Sequence, residues 1–156
     1  MALEAKEIAV SALDLSSDAL AVAKQNADRL EATVEFYQSD WLEVPAEKEE
    51  RFHIVVSNPP YIPRNMASQL ATHVREHEPK LALYGGKNGL HMYHKLVEQL
   101  PAVLADEALV AFEVGVGQAK AVEQLLHDRF PKAQTKIVID LNGKERIVLA
   151  FGDMRS

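Results

Sequence analysis

The sequence predicts an α/β fold with one sheet that is mainly parallel and ends in an antiparallel hairpin. Three observations support this prediction. Short apolar runs alternate with segments of helical periodicity along most of the chain. An Asn142-Gly143 pair separates the last two apolar runs, and this pair is a strong hairpin signal. The 156 residues, of which 47% are hydrophobic, suit a single domain with one sizeable core.

The first third of the chain predicts three strands and a helix. Residues 8–15 form an apolar run that ends in an acid, and Ser16 or Ser17 can then cap a helix that continues to about Leu30. Residues 33–38 alternate like a strand. Residues 43–51 are charged and contain a proline, which indicates a loop or short helix. Residues 52–57 form a β-branched strand.

The remainder of the chain continues the alternation after an irregular stretch. Prolines and glycines interrupt residues 61–88. Residues 90–104 have helical periodicity, which Pro101 should kink or break. A strand is predicted at 108–114, a helix at 118–130, and the hairpin strands at 136–140 and 146–151, joined by residues 141–144.

Composition narrows the classes of function. The net charge is −6 and the pI about 5.5, so the chain has no general attraction for phosphate backbones, and strong nucleic-acid binding is not expected. Without cysteine it has no disulfide and no thiolate metal site. His73 and His77 have helical zinc-ligand spacing but no evident third ligand, so no metal is predicted. Lacking a long apolar run or a signal-peptide pattern, the protein is expected to be soluble and cytoplasmic.

The most informative motif is Asn58-Pro59-Pro60-Tyr61, at the carboxyl end of a predicted strand. Open α/β sheets bind ligands at this edge. A following proline makes Asn58 extended, and the two prolines stiffen the loop without offering N–H donors. The Asn58 side-chain oxygen and the Pro59 carbonyl can therefore accept both hydrogens of a planar –NH2 group, and Tyr61 can stack on its face. The alternative is a rigid strand-to-loop corner without a ligand.

Two acids follow the earlier strands. Asp14 ends the first strand, where an acid in nucleotide-binding α/β units accepts bonds from ribose hydroxyls. Asp40 and Trp41 follow the second strand, so Asp40 could accept from an adenine amino group and Trp41 could cover the ring. The alternative for each acid is an ordinary N-cap or turn residue.

Together these motifs resemble the catalytic domain of the HemK/PrmC family of N5-glutamine methyltransferases. The resemblance covers nearly all of the chain, residues 1–156, as one partial catalytic domain. The segments that carry it include Leu13-Asp14-Leu15-Ser16, Ser39-Asp40-Trp41, Ser57-Asn58-Pro59-Pro60-Tyr61-Ile62, Glu78-Pro79, Gly85-Gly86, Gly89-Leu90, Phe112-Glu113-Val114-Gly115 and Glu145-Arg146.

The resemblance implies a Rossmann-like class I fold and methyl transfer from S-adenosylmethionine, which leaves S-adenosylhomocysteine. The acceptor would be the glutamine of the Gly-Gly-Gln motif in bacterial class I release factors. Asn58, Pro59, Pro60 and Tyr61 would hold that amide, with Asn58, Pro59 and Tyr61 as the catalytic set. The residues implied at the cofactor are Asp14, Leu15, Asp40, Trp41 and Asn58.

One departure from the family pattern affects these expectations. The glycine-rich cofactor loop should lie about 20 residues before Asp14, but only 13 residues precede Asp14 and the first glycine is Gly85. The loop, its central strand and the N-terminal helical domain are therefore expected to be missing. Weak cofactor affinity follows, together with either direct strand pairing across the gap or dimerisation through exposed strand edges.

Three other readings stay open for the whole chain. The Asn-Pro-Pro-Tyr motif is shared with methyltransferases that act on amino groups of nucleic-acid bases, and a related branch modifies a ribosomal-protein glutamine. A non-catalytic fragment that keeps only the protein-binding face is the third. A nicotinamide-dinucleotide site at Gly115-Val116-Gly117 is disfavoured because Lys120 occupies a position that needs a small residue, so a turn that starts the helix is predicted instead.

Overall fold

The computed structural model describes residues 2–3, 7–61 and 89–155. The chain divides into two compact units, Met1–Glu50 and Arg51–Ser156. Each unit is described by itself. The predictions for residues 62–88, which include the His73 and His77 pair and the Gly85-Gly86 segment, lie outside the described residues.

The first unit is a β-α-β unit followed by a short helix. Its elements are β1 (Ser11–Asp14), α1 (Ser17–Arg29), β2 (Glu35–Gln38) and α2 (Glu43–Glu47). The two strands pair in parallel, from Ser11 opposite Glu35 to Asp14 opposite Gln38. The Ser16 side chain caps α1 by accepting a hydrogen bond from the Ala19 amide at 3.2 Å, as the sequence predicts.

The second unit contains a four-stranded mixed sheet. Its strands are β3 (Phe52–Ser57), β4 (Leu104–Glu113), β5 (Gln134–Ile139) and β6 (Glu145–Asp153), in the spatial order β3-β4-β6-β5. The β3–β4 pair is parallel, whereas β6 is antiparallel to both of its neighbours. The last strand of the chain therefore lies between β4 and β5 rather than at the sheet edge.

Helices cover one face of this sheet. They are α3 (His91–Gln99), which continues into a 3₁₀ turn at Leu100–Ala102, and α4 (Ala119–Arg129). Helix α4 packs against β5, β6 and α3. The core of the unit consists of fully buried side chains from these helices and from alternate strand positions: Tyr93, Leu100, Val110, Phe112, Val122, Leu126, Phe130 and Val148.

Two apolar side chains on the other face of β3 are exposed. Ile54 is 46% exposed and Val56 is 62% exposed, while Val55 between them is buried. Parallel strands are normally covered on both faces. A continuous apolar run in the sequence therefore became a strand with only one buried face.

The α/β fold class and the antiparallel C-terminal hairpin are confirmed, with several shifted boundaries. Strand β1 begins at Ser11 rather than at residue 8, and β4 begins at Leu104, four residues earlier than predicted. The helix predicted over residues 90–104 ends in the turn that contains Pro101, because proline cannot continue the helix. The turn at residues 140–144 holds Gly143 at φ +76°, a conformation that favours glycine.

The described strands form two sheets, β1-β2 in the first unit and β3-β4-β6-β5 in the second, and the expectation of either direct pairing across the gap or dimerisation stays a prediction. Among the helices in the described ranges, none has the length and apolar character needed to cross a membrane.

Candidate functional site

The Asn58-Pro59-Pro60-Tyr61 loop leaves the carboxyl end of β3, as the sequence predicts. Asn58 is exposed, Pro59 is fully buried, and Pro60 and Tyr61 are half-buried. Within the described residues, no hydrogen bond uses the Asn58 side chain. The loop therefore presents an amide oxygen to solvent from a corner that the buried Pro59 ring fixes.

Gln118 donates a hydrogen bond to this loop. Its Nε2 donates to the Tyr61 carbonyl oxygen at 2.9 Å, and its Oε1 accepts from the Gly115 amide at 3.0 Å. The two residues of the first bond are 57 positions apart. Sequence analysis assigned the segment around Gly115 only to a turn that starts a helix, which is confirmed, and it missed Gln118 because nothing local indicates so distant a partner.

Tyr93 on α3 lies near Tyr61 of the same loop. It has no exposed surface, its hydroxyl donates to the Glu113 carbonyl oxygen at 2.7 Å, and its ring centroid is 6.1 Å from that of Phe112. Burial, together with the nearby Tyr61 and Glu113, raises the pKa of Tyr93 above its usual range. Tyr93 therefore stays a neutral hydrogen-bond donor that joins α3 to the end of β4.

The two acids of the first unit lie at the carboxyl edge of its parallel strand pair. Asp14 ends β1 opposite Gln38, and the Ser39 amide donates to the Asp14 carbonyl oxygen at 3.1 Å, so Asp40 follows directly on the neighbouring strand. The exposed Asp14 carboxylate accepts a hydrogen bond from the Ser16 amide through Oδ1, at 2.7 Å. That bond makes Asp14 a turn residue and leaves Oδ2 available to another donor.

Trp41 and Leu15 lie beside these acids in the chain. Trp41 has φ +57°, an unusual conformation for a bulky side chain, and it is half-buried. Leu15 is 56% exposed. The carboxyl edge of β1 and β2 therefore offers the Oδ2 atom of Asp14 beside apolar side chains. Such a combination suits the hydroxyls and the base of a nucleoside. The structure thus places Asp14, Leu15, Asp40 and Trp41 in one unit, and Asn58, Pro59, Pro60 and Tyr61 in the other.

The rest of the described chain offers no competing metal centre, since the residues in those ranges form no cluster of three or more histidine, aspartate or glutamate side chains that could hold a metal ion.

Comparison with known proteins identifies the family. The family model described as "Methyltransferase small domain" matches residues 1–86. The chain belongs to this methyltransferase family. It is also 47% identical, over 96% of its length, to the release factor glutamine methyltransferase of Bacillus anthracis, and 42% identical over 97% of its length to that of Bacillus subtilis. It spans 53% and 52% of those two relatives, about half of their length.

Solved structures support the fold. A methyltransferase from Pyrococcus furiosus matches with a TM-score of 0.66 at 18% identity, over 96% of this chain and 67% of that one. A release factor-specific protein-(glutamine-N5) methyltransferase from Alicyclobacillus acidocaldarius matches with a TM-score of 0.52 at 27% identity, over 90% of this chain and 77% of that one. The Rossmann-like class I methyltransferase fold and the resemblance to glutamine methyltransferases are therefore confirmed. Methyltransferases of this class use S-adenosylmethionine, so the cofactor prediction is confirmed at the level of the family.

Proposed function

We propose that this chain takes part in methyl transfer from S-adenosylmethionine to the side-chain amide nitrogen of a glutamine, in the Gly-Gly-Gln motif of bacterial class I release factors. The observation that carries the proposal is the exposed Asn58 at the carboxyl end of β3, on a loop anchored by the fully buried Pro59. The names of the Bacillus relatives support the choice of substrate.

The loop suits an amide because it offers acceptors. The Asn58 Oδ1 atom and the Pro59 carbonyl oxygen would each accept one hydrogen of the substrate –NH2 group, and Tyr61 would cover its planar face. An amide nitrogen is a poor nucleophile because its lone pair is delocalised. The contribution of these residues is therefore positional: they hold the nitrogen in line with the methyl group. No strong base is needed before attack, since the proton can leave afterwards.

The carboxyl edge of β1 and β2 fits the adenosine part of the cofactor, which supplies an electrophilic methyl group when bound. The Oδ2 atom of Asp14 would accept from a ribose hydroxyl while Oδ1 keeps its bond to Ser16. Asp40 would accept from the adenine amino group, and Trp41 and Leu15 would contact the base and sugar. These residues bind and orient the cofactor, and none of them is required to move a proton.

Two neighbouring substrate classes share the chemistry of the loop. An amino group of a nucleic-acid base is also a planar –NH2 group, and a ribosomal-protein glutamine carries the same amide. The net charge of −6 favours a protein substrate over a phosphate backbone.

The direct test is incubation of the chain with isotopically labelled S-adenosylmethionine and, separately, release factor, ribosomal protein or RNA. Mass spectrometry of the Gly-Gly-Gln peptide should locate one added methyl group on the glutamine. Label found only in RNA or in a ribosomal protein would redirect the proposal to that substrate. Binding of the release factor without any transfer would support the reading as a non-catalytic fragment.

We also propose self-association through β3. Among the described strands β3 pairs with β4 alone, and an edge strand tends to pair its backbone with another copy. The exposed apolar side chains of Ile54 and Val56 on this strand would add buried area to such a contact. Analytical ultracentrifugation should show a dimer that Val56→Lys converts to monomer. A wild-type monomer at high concentration would contradict this proposal.

A further inference from the structure

The side chain of Gln118 bonds to two backbone segments, the turn before its own helix and the loop that follows β3. Both ends of its amide group are hydrogen-bonded: Nε2 donates to the Tyr61 carbonyl oxygen at 2.9 Å, and Oε1 accepts from the Gly115 backbone N–H at 3.0 Å. The backbone N–H of Gln118 donates to the Gly115 carbonyl oxygen at 3.1 Å, and this bond closes the turn before α4. The side chain therefore connects the loop after β3 to the loop after β4.

Two glycines beside this side chain have no room for a Cβ atom. A Cβ atom on Gly115 would lie 2.8 Å from Gln118 Oε1 and 2.9 Å from Tyr61 Cδ2, closer than real Cβ atoms approach. A Cβ atom on Gly89, which has φ +77°, would collide with both the Tyr61 carbonyl oxygen and Gln118 Nε2. Two buried glycines thus allow the Gln118 amide and the Tyr61 backbone to meet.

Capping of α4 does not explain this side chain. Gln118 occupies the N-cap position of α4, yet its side chain makes no capping hydrogen bond to that helix. A residue selected for capping would be serine, threonine, aspartate or asparagine, whose shorter side chains reach the first-turn amides. The longer glutamine instead turns away from its own helix and reaches Tyr61.

We infer that Gln118 is a positioning residue for the target-amide loop, an inference that rests on the function proposed above. Pro59 and Pro60 have no N–H groups, so the middle of the loop offers no backbone donors that could hold it in place. The Tyr61 carbonyl, three residues after Asn58, accepts the hydrogen bond that ties the loop to Gln118. Loss of this bond would let Asn58 and Pro59 shift relative to the substrate nitrogen, and a displacement of about 1 Å can cost on the order of 100-fold in rate.

The hydrogen bond can be observed without any activity. Tyr61-Ile62 is the only Tyr-Ile pair in the sequence, so labelling with carbonyl-¹³C tyrosine and ¹⁵N isoleucine gives a single carbonyl-linked NMR signal for Tyr61. Gln118→Glu retains an acceptor for the Gly115 amide but has no donor for Tyr61. We expect the Tyr61 carbonyl signal to move upfield while the Gly115 amide signal stays close to its wild-type position. An unmoved Tyr61 carbonyl signal in a folded variant would overturn the inference.

Kinetic measurements distinguish a role of Gln118 in positioning the loop from a role in stabilising the fold. Gln118→Glu and Gln118→Ala should lower kcat about 10- to 100-fold, with KM for S-adenosylmethionine unchanged. Gln124→Ala is the matched control, because Gln124 is an exposed glutamine on the same helix whose Nε2 donates to Asp128 Oδ1 at 2.7 Å. A carbonyl signal that moves without a fall in kcat would also overturn the inference, as would an equal loss in the control.

Failure of the proposed function would look different. A wild-type chain that transfers no methyl group to glutamine contradicts that function, whatever the state of Gln118. The anchoring of the loop is then decided by the Tyr61 carbonyl signal, which must still respond to Gln118→Glu and not to Gln124→Ala.

Discussion

The two units hold their proposed ligand-binding residues by different means. In the first unit, Asp14 is fixed by a hydrogen bond to Ser16, only two positions along the chain. In the second, the loop that carries Asn58 is fixed by Gln118, through a bond that spans 57 positions. The conformation of Asp14 is thus set by a hydrogen bond within a local turn, whereas that of the Asn58 loop depends on a tertiary contact.

Burial follows the same division. Among the largest fully buried side chains of the described residues, Pro45 alone belongs to the first unit. The second unit supplies the rest, including Pro59 within the proposed site. A loop that must position a weak nucleophile benefits from buried, well-packed residues that support it. Carboxylates that bind hydroxyl groups can do so from a solvent-exposed strand end. The comparison predicts that substitutions in the two units will affect different kinetic constants.

The largest expected effect is the loss of turnover in Asn58→Ala. Removing the Oδ1 acceptor should lower kcat by on the order of 100-fold or more while cofactor affinity stays near normal, because the substrate nitrogen is no longer held in line. Steady-state kinetics with a release factor would measure it. Asn26→Ala, on the exposed surface of α1, serves as the control. Retained turnover in Asn58→Ala would rule out the amide-site assignment.

Asp14→Asn should weaken cofactor binding, in contrast to the loss of turnover expected for Asn58→Ala. The variant keeps an oxygen for the Ser16 amide but replaces an acceptor oxygen with a donor, so KM for S-adenosylmethionine should rise roughly 10-fold, the equivalent of one charge-assisted hydrogen bond. Calorimetric titration of the cofactor provides an independent measurement. Asp18→Asn, in the first turn of α1, is the control, and equal effects at the two positions would argue against a specific role for Asp14.

A smaller effect is expected from a matched pair of glycine substitutions. Gly89 and Gly143 have nearly the same backbone angle, φ +77° and +76°, so alanine costs about 1–2 kcal/mol at either position. At Gly143 an added Cβ meets nothing within 4 Å, whereas at Gly89 it collides with Tyr61 and Gln118. Gly89→Ala should therefore lower the free energy of unfolding by more than Gly143→Ala in urea titrations. Equal losses would mean that the close approach contributes nothing.

The smallest effect is expected at the hairpin, remote from either proposed ligand. Hydrogen bonds from the Lys144 and Asn142 amides, together with the nearby Arg146, hold the pKa of Asp140 below its ordinary value of 3.8. The resulting stabilisation is present above the unfolded-state pKa and is lost as the pH falls through the lowered folded-state pKa.

Asp140→Asn should therefore slightly lower the melting temperature at pH 7, and the difference from wild type should shrink as the medium is acidified below pH 4. Thermal unfolding followed by circular dichroism at several pH values would measure it. Asp28→Asn, an exposed acid on α1, is the control. A difference that persists unchanged in acid would show that charge is not the cause.

Features specified by neighbouring residues were predictable from the sequence alone. The bounds of β3, the Ser16 cap of α1, the break at Pro101 and the turn at Gly143 all depend on contacts within a few positions. The position of Asn58 at a strand end follows from the apolar run before it and the prolines after it. The roles of Asn58 and of the acids at Asp14 and Asp40 stay predictions.

Tertiary structure decided what depends on distant partners. Strand β6 lies between β4 and β5, although its sequence alone did not indicate a central position. Val56 is exposed, although its apolar strand predicted burial. Strands β3 and β4 are adjacent and parallel, so the loops that follow them leave the sheet at the same edge. Gln118 can therefore reach Tyr61. Local sequence specifies turns and caps, but only the assembled sheet determines which of these loops meet.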